Sequence, residues 1–551
     1  MIAVSIKLNY TLFFVEYFVS IVIIYLLVTY SLLVANIFSI VINKAINDSL
    51  SLIFLFTGFL ILNDFLFFII DFNSIGFFDL KKLMLFDYFS VISKLIICFL
   101  SSMFFITVSN ILKDYKLTSF EFILLLLFNI LGLIFLCSSY DLLLIFVSLE
   151  LVSLSSYFLV SIKKNYYYSI ECGIKYLIIN TISGSFFLFG SFLFYYNLGV
   201  ILIPDIYLLS LNIEHLYFSV NNIIFKKLLF KLEYFQYQHY LQFVTSKLWF
   251  FEYLLINKYI LMNAKPIVEL GFLFIILSII IKLSLSPFYL WSLEIYEKSV
   301  SIVTFFLIVL IKLSYFAILY RICFFMLDRN NFIMNSFLLI ISFLSIVVGS
   351  FGNLRQKKVK TLLVYSSISH IGYVLLAFSV NSFFSLEACY FYLLQYLLSN
   401  IIIWFIVLNL IKKQKYYQNK LSKNIGDFML LNKTNKIFSL GLLIILFSIS
   451  GIPPFIGFLA KFGIYLVLIS EQFFSLILIV SLCSIISTFY YIRLIKIFYF
   501  ENVRIGILYL PLNSFNVFIF CFFSFTICFL FLNPKFLYLI IHKIIIMGCT
   551  F

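Results

Sequence analysis

Charge is scarce in this 551-residue chain: Asp, Glu, Lys and Arg make up 11% of it, against 64% hydrophobic residues. That balance excludes a soluble domain, in which about a quarter of the residues are charged. The nine cysteines, at positions 98, 137, 172, 323, 389, 483, 521, 528 and 549, include no CxxC pair and join no Cys/His cluster. They read as small buried hydrophobes rather than as disulfides or iron–sulfur ligands. A glycine-rich nucleotide loop is absent, which argues against a soluble-substrate catalytic domain. The opening residues, MIAVSIKLNYTLFF, lack the Arg-rich stretch of a mitochondrial transit peptide and the basic n-region of a secretory signal.

Long apolar runs, by contrast, recur from end to end, and the mean hydropathy is +1.15. The runs are continuous rather than alternating, which predicts an all-α polytopic membrane protein and not a barrel. About fourteen spans are expected, at 12–42, 50–71, 88–112, 119–138, 141–162, 172–198, 267–290, 300–325, 332–352, 361–380, 387–411, 437–468, 472–497 and 513–533. The first and twelfth are long enough to tilt or break. The net charge of +15 sits in short loops, so it reads as positive-inside topology and not as a nucleic-acid surface. Basic residues concentrate after odd-numbered spans, among them Lys163, Lys164, Arg355, Lys357 and Lys358. Those loops are therefore expected to face the matrix or cytoplasm, with the N-terminus on the other side. Phe (74) and Tyr (38) are abundant, with Ile, Asn and Lys, a codon bias of AT-rich genomes, so synthesis inside an organelle is expected. Residues 199–266 interrupt the pattern with mixed charge and aromatics, and read as an interfacial or partner-covering helix pair.

Three lysines lie inside apolar runs: Lys282, Lys312 and Lys461. A lysine at a helix centre costs roughly 2.5–3.5 kcal/mol on insertion, and ionisable groups at that depth usually mark ion paths or proton relays. Two of the runs are broken, at Pro287 and at Gly451-Ile452-Pro453-Pro454. Proline-interrupted segments in matching positions of two halves point to a transport site, because unpaired backbone there needs water or polar partners. Burial disfavours the charged form of a lysine and a nearby carboxylate restores it. The candidate carboxylate is Glu150, the only acid well inside the fifth span. At a separation of about 5–6 Å and an effective dielectric of about 20 such a pair couples by roughly 3 kcal/mol, enough to gate a proton. The alternative for each lysine is snorkelling to the interface. His370 suits a proton relay and a structural hydrogen bond equally well. Lys175 is expected to anchor at the interface, Asp64 and Lys94 to make helix-packing contacts without an obvious partner, and Glu294 and Glu297 to be loop charges.

The stretch IKLSLSPFYLWSLEIYEKSVSIVTFFLIVLIKLSYF resembles the subunit 2 family of NADH dehydrogenase, the antiporter-like membrane subunits of respiratory complex I. KYLIINTISGSFFLFG, QKKVKTLLVYSSISHIGYVLLAF and SISGIPPFIGFLAKF extend the resemblance, in the family's order, over most of the chain. It implies a fourteen-helix fold with two inverted five-helix repeats, spans 4–8 and 9–13, and broken spans 7 and 12. The implied division is 1–118 for the first three helices and 119–330 for a first repeat with an inserted loop at 199–266. A second repeat occupies 331–500, and 501–551 holds the last helix and a tail. It further implies that Glu150 and Lys282 form a gated pair, that Lys312 is a central relay and that Lys461 is a terminal site. Protons would load from the matrix and leave toward the intermembrane space, with His370 as a possible relay.

On the same resemblance, the chain would be a core subunit of NADH:ubiquinone oxidoreductase with no redox site of its own. Flavin, iron–sulfur clusters and ubiquinone would belong to partner subunits. Its neighbours would be other membrane-arm subunits, especially 4 and 4L, with lipid around them and accessory subunits against 199–266. The location would be the mitochondrial inner membrane. Tyr289 stands where the family often has histidine, Glu294 where it has aspartate, and Lys298-Ser299-Val300 where it has Gly-Ala-Pro. A cation/proton antiporter subunit of a multisubunit exchanger, or a purely structural membrane-arm subunit, are the competing readings.

Overall fold

The structure is a computed structural model that describes residues 14–33, 39–70, 77–79, 83–109, 111–112, 117, 119–163, 166–206, 266–326, 332–409, 411–412, 420–421, 424–429, 431–501 and 514–549. In lipid each backbone N–H and C=O must be paired within its own segment, so the apolar runs fold as helices. In chain order these are α1 (Phe14–Leu33), α2 (Ser39–Ile70), α3 (Tyr88–Ser109), α4 (Phe120–Ser138), α5 (Leu142–Val160) and α6 (Tyr167–Leu198). Next come α7 (Pro266–Leu283) and the short α8 (Leu290–Lys298). The following helix, α9, is built from Ser301–Phe306, a π-helical turn Leu307–Ile311 and Lys312–Met326. The remainder are α10 (Phe332–Gly352), α11 (Val359–Val380), α12 (Phe383–Asn409), α13 (Lys436–Ser450), α14 (Ile456–Ser470), α15 (Phe474–Tyr499), α16 (Ser514–Leu532) and α17 (Lys535–Cys549).

Ten of these helices, among the described residues, are long and apolar enough to cross a membrane. Burial sorts them. The core of α9 is wholly enclosed, and α11 and α12 are covered along nearly all their length. The outer helices turn apolar side chains outward. On α15 the exposed stripe Leu478, Leu482, Ile485 and Phe489 follows the helical period, as a lipid-facing surface does. Within the spans serine hydroxyls donate to carbonyls a turn earlier, for example Ser278 to Ile275 and Ser366 to Leu363, so they enter the membrane without stranded donors.

Four sequence-based expectations change. The expected boundary between the first two spans, at 43–49, is helical: residues 39–42 open α2, which runs on through the polar stretch Asn43–Ser49. Helix geometry pairs the backbone whatever the side chains at its end. The expected tail after the last span is helical: α17 bends 81° from α16, stacks Tyr538 on Phe391 of α12 and pairs His542 with Glu387. Lys94 has a partner after all. Its ammonium forms an ion pair with Glu16 of α1, both side chains no more than 4% exposed; the acid lies 78 residues upstream and no local pattern could join them. Glu294 and Glu297 lie on α8 rather than in a loop. The Asp64 side chain and most of the 199–266 segment lie outside the described residues.

Candidate functional site

The two broken spans end their first halves in the same way. At the end of α7 the Ser284 N–H donates to Ile281 (3.1 Å) and the Leu285 N–H to Ile280 (3.2 Å), with Ser284 at φ 60°. At the end of α13 the Gly451 N–H donates to Ser448 (3.2 Å) and the Ile452 N–H to Phe447 (3.2 Å), with Gly451 at φ 82°. This paired closure needs a left-handed residue just past the helix, the position glycine fills most readily. Pro287 and Pro453-Pro454 follow and prevent the helix from continuing. Each break therefore leaves a helix C-terminus, with its partial negative charge, buried in the protein.

Lys282 sits in the last turn of α7, and its side chain is 1% exposed. Its Nζ lies 3.8 Å from Glu150 Oε1 on α5, closer than the separation anticipated from sequence. The pair is loose: neither atom has a hydrogen-bond partner among the described residues. The other carboxylate oxygen accepts from Ser153 Oγ (3.1 Å). At this distance and an effective dielectric of about 20, the coupling is of order 4 kcal/mol. Room for the carboxylate is made by Gly184 of α6, where a Cβ would stand 2.6 Å from Glu150 Oε1. Gly184→Ala is therefore expected to displace the carboxylate by about 1 Å, weakening the coupling by roughly 1 kcal/mol, or about fivefold in an equilibrium. Proton transport by the assembled protein in vesicles should fall accordingly; wild-type transport would show that the spacing of the pair is immaterial.

Lys312 follows directly on the π-helical turn of α9, a distortion that often marks functional positions. Its Nζ donates to Ser367 Oγ of α11 (2.9 Å). No hydrogen bond among the described residues joins it to Lys282. On α11 the next two rungs, spaced by one turn, are His370 and Tyr373. His370 Nδ1 lies 2.7 Å from Tyr392 OH and Nε2 3.2 Å from Tyr491 OH. The Tyr373 ring stacks on Tyr392 at 5.7 Å and carries the Lys461 ammonium over its face at 5.6 Å. Lys461 Nζ also donates to Ser450 O, the last carbonyl of α13 (2.7 Å). One helix thus bridges the two lysines through three polar rungs. None of the three lysines reaches the surface: all are at most 6% exposed, so snorkelling is not how they are accommodated.

The charges expected in loops or at the interface pair with one another. Lys175 pairs with both Glu171 and Glu294, Lys298 reaches Glu171 at 3.1 Å, and Glu297 pairs with Lys358. Ser367, Tyr373, Tyr392, Tyr491 and Gly184 were not singled out from sequence. The run of Ser367, His370 and Tyr373 at helical spacing was visible as a polar stripe in an apolar helix; Tyr392 and Tyr491, on α12 and α15, were not.

Two discontinuous helices facing a line of buried ionisable side chains define a class, the antiporter-like subunits of multisubunit membrane complexes. The sequence profile of the NADH:quinone oxidoreductase/Mrp antiporter transmembrane family matches residues 139–244 and 238–487, and the chain belongs to that family. NADH-ubiquinone oxidoreductase chain 2 of Marchantia polymorpha is 29% identical over 437 residues, covering 79% of both chains. NADH-quinone oxidoreductase subunit N of Pelagibacter ubique is 29% identical over 415 residues, covering 74% of this chain and 75% of that one. Among solved structures, a chain of respiratory complex I from Thermus thermophilus with bound aureothin superposes with a TM-score of 0.64 at 20% identity, covering 90% of this chain and 98% of that one. A chain of the Mrp complex from Dietzia gives 0.70 at 15% identity, covering 97% of each.

Proposed function

We propose that this chain is a proton-translocating core membrane subunit of respiratory complex I in the mitochondrial inner membrane. The observation that carries the reading is the buried line itself: Glu150 with Lys282, then Lys312, Ser367, His370 and Tyr373, then Lys461. Redox chemistry belongs to partner subunits. Protons load from the matrix side onto Lys282 and Lys312 and leave by Lys461, with His370 between them. The two broken spans belong to inverted repeats over 119–330 and 331–500, preceded by 1–118 and followed by 501–551. The N-terminus faces the intermembrane space, as the basic loops after odd-numbered spans favour, and subunits 4 and 4L are its neighbours. Identity of 29% over 437 residues to oxidoreductase chain 2 of Marchantia polymorpha supports this reading.

The test is a double-mutant cycle in the complex reconstituted into vesicles. Glu150→Gln and Lys282→Met should each lower protons pumped per NADH oxidised, by about tenfold or more given a coupling of several kcal/mol. The double variant should be no worse than either single one. Unchanged pumping in fully assembled single variants would overturn the reading.

A further inference from the structure

The two breaks differ in what satisfies the buried helix end. At the end of α7 the donor is Trp291 of α8, whose Nε1–H reaches Ile281 O at 3.2 Å. At the end of α13 the donor is the lysine itself, Lys461 Nζ to Ser450 O. A buried helix C-terminus attracts a cation and offers it carbonyl oxygens. Lys461, with no acid among the described residues within ion-pair distance, takes that place. Lys282 stands one residue from Ile281 and makes no hydrogen bond among the described residues, yet it lies opposite Glu150. The indole and the Ser284 N–H together fill the Ile281 carbonyl, which would otherwise compete with the carboxylate for the ammonium.

We infer that Trp291 is a positioning residue for the Glu150–Lys282 pair, holding the end of α7 so that the lysine answers to the carboxylate and not to the helix terminus. The inference rests on the transport reading given above. The ring is fixed independently of its N–H, between Tyr176 (5.7 Å between centroids) and Tyr296 (6.0 Å), so donor and packing can be separated. In Trp291→Phe an aromatic ring remains but the indole donor is gone, and the Ile281 carbonyl, left with the Ser284 N–H alone, has one acceptor position open to draw the Lys282 ammonium away from Glu150. In Trp291→Gln the ring is gone but an N–H donor remains.

Both variants are made in the complete complex, assembly is verified by native electrophoresis, and NADH oxidation and proton pumping are measured in vesicles beside Lys282→Met. Trp291→Phe should pump at least about threefold fewer protons per NADH while oxidation in uncoupled vesicles is kept, a loss of roughly 0.7 kcal/mol or more. Trp291→Gln should keep more than half of the wild-type ratio. The reverse order, Phe normal and Gln impaired, would make Trp291 a packing residue and overturn the assignment, as would a Phe variant that fails to assemble. If Lys282→Met abolishes pumping while Trp291→Phe pumps normally, only this inference falls. If Lys282→Met itself pumps normally, the transport reading falls with it.

Discussion

Lys312→Met should abolish the protons carried through this subunit while leaving the complex assembled. Methionine matches the length and flexibility of the lysine stem and suits a helix enclosed on all sides, so the variant removes the ammonium and little else. What goes with it is the donor to Ser367 Oγ and the start of the proposed route over α11 to Lys461. With no second ionisable group on that rung of α9, a fall of at least tenfold, about 1.4 kcal/mol, is expected in pumping through this chain. Ser367→Ala should be milder, since the ammonium survives and loses only one hydrogen-bond partner. The measurement is protons translocated per NADH in vesicles at equal amounts of assembled complex. Unchanged pumping in Lys312→Met would remove this residue from the path, and a complex that will not assemble would make its role structural.

The second large effect concerns stability. Glu16→Ala removes the carboxylate that forms the buried ion pair with the Lys94 ammonium, where both side chains are at most 4% exposed. Removing one partner of a buried pair typically costs about 3–5 kcal/mol, whereas replacing both by apolar residues of similar volume is often neutral or stabilising. Glu16→Ala should therefore lower the thermal midpoint of the purified complex, and Glu16→Leu with Lys94→Met should restore it. Transport by the double variant should equal wild type, because this tight pair ties α1 to α3 and has no link in the described hydrogen bonds to α11. A double variant that is stable but does not pump would instead make Glu16 and Lys94 members of the path.

These two experiments probe features of very different visibility. Lys312 announces itself: a lysine in the middle of SIVTFFLIVLIKLSYFAILY has no cheap explanation, and Lys282 and Lys461 beside their prolines have none either. The helical class, the two broken spans and the three cations follow from one-dimensional facts, because lipid forces every apolar run to satisfy its own backbone. Glu150 was found by elimination, as the one acid deep in its span. Lys94 shows the limit. Its partner lies 78 positions away, and helix-packing contacts were the most that local sequence could suggest. Glu294 and Glu297 were misplaced for the same reason: SLEIYEKS looks like a polar connection until Lys175, Glu171 and Lys358 are brought against it.

The sequence by itself determined that this is a polytopic helical membrane protein with two interrupted spans and buried lysines, since hydropathy, proline positions and isolated charges are local properties read within one helix. Sequence named Glu150 as the candidate for Lys282, but only the tertiary structure decided which groups the other lysines meet: Ser367 for Lys312, the end of α13 for Lys461, Glu16 for Lys94. Helices pack side by side in orders their own hydropathy does not encode. A charge's function depends on the few ångströms that separate it from a group on another helix.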